Sequence, residues 1–184
     1  MKTWAVLIVG GILGAAGFAL SSAERPAIAA DRPSSDLQSL AAEIETIKGK
    51  LPDQAHAMQD VGYHFSNLWF AAQKENWPLA QFYWAETRSH LRWAVRIIPK
   101  RKNSAGEEVN LEAILQAFEN SPLRELEEAI KVKDGSAFEK SYRFAIDSCY
   151  SCHKASDKAF IHPQIPTHAE TTIINFDPSA EWPK

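Results

Sequence analysis

Cysteine is scarce in this chain of 184 residues: there are two, Cys149 and Cys152. With no third cysteine, a structural zinc site has no second spaced pair of ligands of the usual kind. No run of residues alternates convincingly with the period of a strand, so the βαβ setting of a thioredoxin-type redox pair is missing. Methionine is as rare, with Met58 the only one after Met1. Neither sign of charge dominates; the formal net charge is −3, which grows one unit more negative without residues 1–30, and nothing points to nucleic acid.

What is present is the run Cys149-Tyr150-Ser151-Cys152-His153. Two cysteines separated by two residues and followed by histidine form the attachment site of a c-type haem, in which both thiols bond to porphyrin vinyl groups and the imidazole becomes an axial iron ligand. On a helix, residues three apart share a face, so both sulfurs reach one porphyrin edge and the next residue turns its ring under it. A plain disulfide suits an exported protein but leaves His153 without a role. Six tryptophans and 10% aromatics suit packing against a large flat apolar group.

Residues 1–30 read as an export signal: Lys2, an apolar run over residues 4–20, then small residues ending Ala27-Ile28-Ala29-Ala30. Gly10, Gly11, Gly14 and Gly17 weaken the run as a spanning helix, so cleavage is expected ahead of a retained inner-membrane anchor. Either way the folded part lies outside the cytoplasm, in the periplasm, where covalent haem attachment takes place.

Residues 31–51 form a polar link and a helix capped by Asp36, with Leu37, Leu40, Ile44, Ile47 and Leu51 as a narrow seam. The seam fits a helix lying on its own domain first and a homodimer arm second. Residues 52–160 carry the main helical pattern. One helix is expected from Asp53 to Lys74, with Met58, Val61 or Gly62, Phe65, Leu68 or Trp69, and Ala72 inside. A second runs from Pro78 to Ile98, with Leu79, Phe82, Tyr83, Trp93 and Ile97 inside. Pro99 to Gly106 reads as a loop. A kinked or two-piece helix broken at Ser121-Pro122 follows, and Asp134-Gly135 turns the chain into a last helix from Ser136 to about Lys158. Residues 161–184, with four prolines, form an extended tail.

Four main helices with the haem motif near the end of the last resemble the cytochrome c prime family and its low-spin relatives, over roughly Asp53 to Lys158. The resemblance implies an all-α, up-down-up-down four-helix bundle holding one covalently attached haem c at one end, bound through Cys149, Cys152 and His153. The seam helix, the long tail and the Pro122 interruption depart from the family pattern.

In an antiparallel bundle the first helix starts beside the end of the last. Met58 lies about 8 Å along that helix and His64 about 17 Å, and Met58 shares the Phe65 stripe while His64 is rotated away beside Ala57, Asp60, Asn67 and Ala71. Met58 is therefore the expected distal ligand, the alternative being a methionine that merely fills core space; the resemblance implies a methionine there too. Phe65 is expected to line the cofactor, and in a gas-binding reading it would form with Trp69 a wall that favours small apolar ligands such as NO or CO. His90 is expected to hydrogen-bond Glu86; His56 points away, and His162 is near enough in sequence to cover a haem edge. Arg88, Arg92 and Arg96 run into Lys100, Arg101 and Lys102. The plain reading is a solvated basic face; the sharper one gives an arginine such as Arg96 to a haem propionate, or steers an acidic redox partner.

These residues fit a one-electron carrier serving redox partner proteins. The competing reading is a five-coordinate NO- or CO-binding sensor in which Met58 is distal packing. An enzyme such as a peroxidase is not expected, because no histidine is well placed as a distal acid or base.

Overall fold

The computed structural model describes residues 32–181, with side chains from residue 35 on; the expected export signal or anchor and the last three residues lie outside them. The described chain is mostly helical, with a small hairpin and a tail after α6 that forms neither helix nor strand, and none of its described helices is long and apolar enough to cross a membrane. It falls into two compact units that part after Gly49.

In the first unit, α1 spans Arg32–Lys48. It begins four residues ahead of the expected cap at Asp36, because Pro33 fits a first helical turn, where its missing N–H costs nothing. Leu37, Leu40, Ile44 and Ile47 are exposed along it.

The second unit begins with α2 (Gln54–Gln73), whose start is fixed by the Asp53 carboxylate accepting from the His56 N–H at 3.0 Å. Glu75 takes a left-handed conformation and ends the helix, and Asn76 caps α3 (Trp77–Ile97) by accepting from the Leu79 N–H. So short a connection makes α2 and α3 an antiparallel hairpin, the most extensive helix contact among the described residues. Ala57, Ala71, Ala72, Ala80 and Ala94 are buried, and side chains that small let backbones approach closely.

The expected loop after Pro99 contains a correction. Lys100–Lys102 (β1) pairs antiparallel with Glu108–Asn110 (β2), Arg101 opposite Val109, around a turn in which Gly106 has φ +82°. Strands of three residues are too short to show an alternation. Asn110 then caps α4 (Leu111–Asn120), and the Ser121-Pro122 break separates it from α5 (Pro122–Val132), so the two-piece form is the one observed. Lys133 ends α5 in a left-handed conformation, and Asp134 caps α6 (Gly135–Ala155) through the Ala137 N–H.

The core lies where α2, α3, α5 and α6 face one another, with Leu68, Tyr83, Leu123, Leu126, Phe138 and Tyr142 almost wholly buried. Two packing expectations need revision. Phe82 lies outward, because the buried face of α3 runs through Ala80, Tyr83, Trp84, Thr87 and Ala94. The α2 face carrying Ala57, Asn67 and Ala71 is as deeply buried as the Phe65 face, since α3 covers one and α6 approaches the other.

Candidate functional site

One end of the second unit gathers the start of α2, the end of α3, the hairpin and the end of α6. The Gln54 amide donates to the Ala94 carbonyl, 3.0 Å, which joins the first two. The Asp157 carboxylate, just beyond α6, accepts from both the backbone N–H and the hydroxyl of Ser104 in the hairpin loop. Near that end α6 carries Cys149, Cys152 and His153.

Both cysteines are free thiols, one helical turn apart on one face. Cys149 packs against the core near Tyr142, and burial pushes its thiol up to about 12. Burial also raises Cys152, opposed by a hydrogen bond with Ser156 and by the positive Arg101 guanidinium. His153 is half-buried. The chain reverses after α6 through Asp157, at φ +58°, and Lys158, whose N–H returns to the His153 carbonyl. That reversal brings the Ile161 carbonyl to 3.0 Å from His153 Nδ1. A carbonyl can only accept, so in the neutral imidazole it is Nδ1 that carries the proton and Nε2 the lone pair. A histidine held in this way, its other nitrogen donating to backbone, is the usual arrangement for a metal ligand. Two thiols on one face and an imidazole with a bare Nε2 are a donor set that fits a c-type haem.

The relation of α2 to α6 follows from their aromatics. Phe65 stacks on Tyr142 with ring centroids 4.2 Å apart, and the Tyr142 hydroxyl donates to the Phe65 carbonyl at 2.9 Å. Trp69 stands beside Phe138, at 6.3 Å. Four residues forward on α2 therefore match four residues back on α6, which makes the helices antiparallel. Continuing the register two turns the other way, about 10 Å, sets Met58 level with Cys149, on the same faces as Phe65 and Tyr142. Met58 itself is half-buried.

Phe65 holds one face of its ring on Tyr142, about 10 Å along α2 from Met58. Trp69 lies farther along still, its ring 4.9 Å from Tyr142. Arg96 is exposed and borders a surface cavity with Arg92, Trp84, Glu112 and Leu115. Arg88 and Arg92 are not an unopposed ladder: both reach Glu119 of α4, at 3.3 and 2.5 Å, and the Arg92 pairing lowers the Glu119 carboxyl. No acid interrupts the arginines along α3; the acid arrives from another helix. His162 lies against Tyr150, ring centroids 4.9 Å apart, and His56 is exposed beside Asp53. His90 donates through Nδ1 to the Glu86 backbone carbonyl, 2.9 Å, while the Glu86 carboxylate stands farther off at 3.9 Å.

Sequence reasoning missed Arg101 as a neighbour of Cys152 and the Ile161 carbonyl as the partner of His153. The basic run Lys100 to Lys102 was visible, but its closeness to α6 depends on the hairpin. Fold and site together define a helical protein whose last long helix ends in a Cys-x-x-Cys-His donor set. Comparison with protein-family models, with curated proteins and with solved structures finds no match.

Proposed function

We propose that this chain is an exported, periplasmic monohaem c-type cytochrome that carries single electrons between redox partner proteins. The haem domain is a four-helix bundle of α2, α3, the α4/α5 pair and α6. Cys149 and Cys152 tether one haem c, His153 is the proximal ligand and Met58 the distal one. When bound, the haem supplies a site that gains and loses one electron with little rearrangement, both axial positions being filled. The chain's own part is positioning. The Ile161 carbonyl orients His153, the Phe65–Tyr142 stack fixes α2 against α6, and Arg101, whose charge acts on Cys152, would oppose the negative charge of a haem propionate.

The observation that supports the reading is the Phe65–Tyr142 stack with Trp69 beside Phe138; continued two helical turns, that antiparallel register would bring Met58, the only methionine of the described chain, level with Cys149. The test is the absorption spectrum of oxidised, correctly exported protein. Low-spin iron with a methionine-to-iron charge-transfer band is expected, and Met58→Ala should turn it high-spin. An unchanged mutant spectrum removes Met58. High-spin iron that takes up NO or CO in the unaltered protein moves the function to gas binding. Protein left colourless by denaturation and acid-acetone, with both thiols open to alkylation, ends the haem reading.

A further inference from the structure

Away from the Cys149 face, α2 and α3 bring a second set of donors together. Asp60 and His64 are four residues apart on α2, and Glu86 and His90 four apart on α3, so each pair shares one face of its helix. The two pairs face each other: the His64 and His90 rings lie 4.8 Å apart, and His90 Nε2 is 3.6 Å from the Asp60 carboxylate. One ligand atom from each of His64, Glu86 and His90 lies within 4.8 Å of the others. Ligands about 2.0–2.2 Å from a tetrahedral ion stand roughly 3.5 Å from one another, so side-chain adjustments of about an ångström close this set around a cation.

We infer that Asp60, His64, Glu86 and His90 form a site for one divalent cation of the zinc class, clamping α2 to α3. The independent sign is His64 Nδ1, which is buried and has no hydrogen-bond partner. Buried polar nitrogens are nearly always satisfied, and a bound cation satisfies this one. Burial first, then the neighbouring His90, lowers the His64 pKa, which favours the neutral form that ligates. The His90 ring is already oriented, because Nδ1 donates to the Glu86 carbonyl and Nε2 faces Asp60. Two imidazoles with two carboxylates suit zinc better than calcium or magnesium, which take all-oxygen shells. The Asp60 and Glu86 side chains, 50% and 36% exposed, form a rim through which an ion enters.

This site does not depend on the haem reading, and its test is made so that neither result bears on the other. The full-length protein is stripped with chelator, its thiols occupied by haem or capped by alkylation, and titrated with zinc alone in equilibrium dialysis with metal analysis. One zinc per chain beyond any iron is expected at micromolar concentration, with the unfolding midpoint raised by about 5 °C when zinc is in large excess. His64→Gln with His90→Gln should lose that equivalent. Glu86→Gln, which leaves both imidazoles and the helix contact in place, should weaken binding at least about tenfold and guards against a fold defect in the double variant. A protein that takes up no stoichiometric zinc, or an equivalent that survives in both variants, overturns the site.

Discussion

A thiol that titrates near 12, as Cys149 does, is almost entirely protonated at neutral pH, and only the thiolate is a good nucleophile. On the proposed function, sulfur bonding to a vinyl group would therefore be slow in the folded chain, and attachment would belong to the open one. In folded, haem-free protein iodoacetamide should modify Cys149 at least about tenfold more slowly than the less buried Cys152, and urea should erase the difference. Peptide mapping of timed reactions reads this; equal rates in the folded state remove the argument. Burial also fixes a pH dependence. The folded value lies above the ordinary 9.0, so the contribution to stability is fully present below pH 9 and is lost as the pH rises toward about 12. A thioether does not titrate. Tyr83, raised to about 12 by burial, acts in both forms. Between pH 8 and 11 the urea midpoint should consequently fall further for haem-free protein than for protein carrying haem.

Helix ends in this chain are written locally, which is why they were readable. Asp53, Asn76, Asn110 and Asp134 each accept from a backbone N–H three residues on, and the apolar periodicity between such caps sets the helices to within a residue or two at most ends. The Cys-x-x-Cys-His set was equally plain, because its chemistry lies in adjacent residues. Contacts that join distant elements left no such signal. Glu119 meets Arg92 across 27 positions, His64 meets His90 across a helix hairpin, and the Arg101 charge acts on Cys152 although 51 positions separate them. The hairpin is held to α6 by Asp157, which tolerates its left-handed backbone as Asp and Asn do more readily than Ala. Asp157→Ala loses both the Ser104 bonds and that tolerance, and should cost about 1–3 kcal/mol. Asp157→Asn, which keeps an acceptor, should cost about half as much. Hydrogen exchange at Ser104 should quicken in the first variant; an unchanged rate would show that the hairpin is anchored elsewhere.

The tail was legible as extended chain, but not as a strap, because isolated apolar residues among prolines have no period to read. Ile165 and Phe176 pack on the core. The Glu170 N–H donates to the buried Asn67 side chain at 3.0 Å, and the Asn76 side chain donates to the Phe176 carbonyl at 3.2 Å. The Phe176 ring lies nearly parallel to Tyr83, 6.2 Å away, and edge-on to Phe70. The tail thus binds α2 and the α2/α3 connection at the opposite end of α2 from Met58, while its first residues hold His153 through Ile161. Removing residues 164–184 keeps the Ile161 contact and discards the strap. Loss of a partly buried aromatic and of a hydrogen bond to buried Asn67, whose amide nitrogen already lacks a partner, should destabilise the chain by about 2–3 kcal/mol. Phe176→Ala alone should account for about half of that. Because the α2/α6 register rests on Phe65 and Tyr142 rather than on the strap, the truncated protein should keep the oxidised spectrum of the full chain while its urea midpoint falls. A midpoint that does not move would show the tail to be dispensable for stability, and a spectrum that changes would mean that the height of Met58 is set from the tail end of α2.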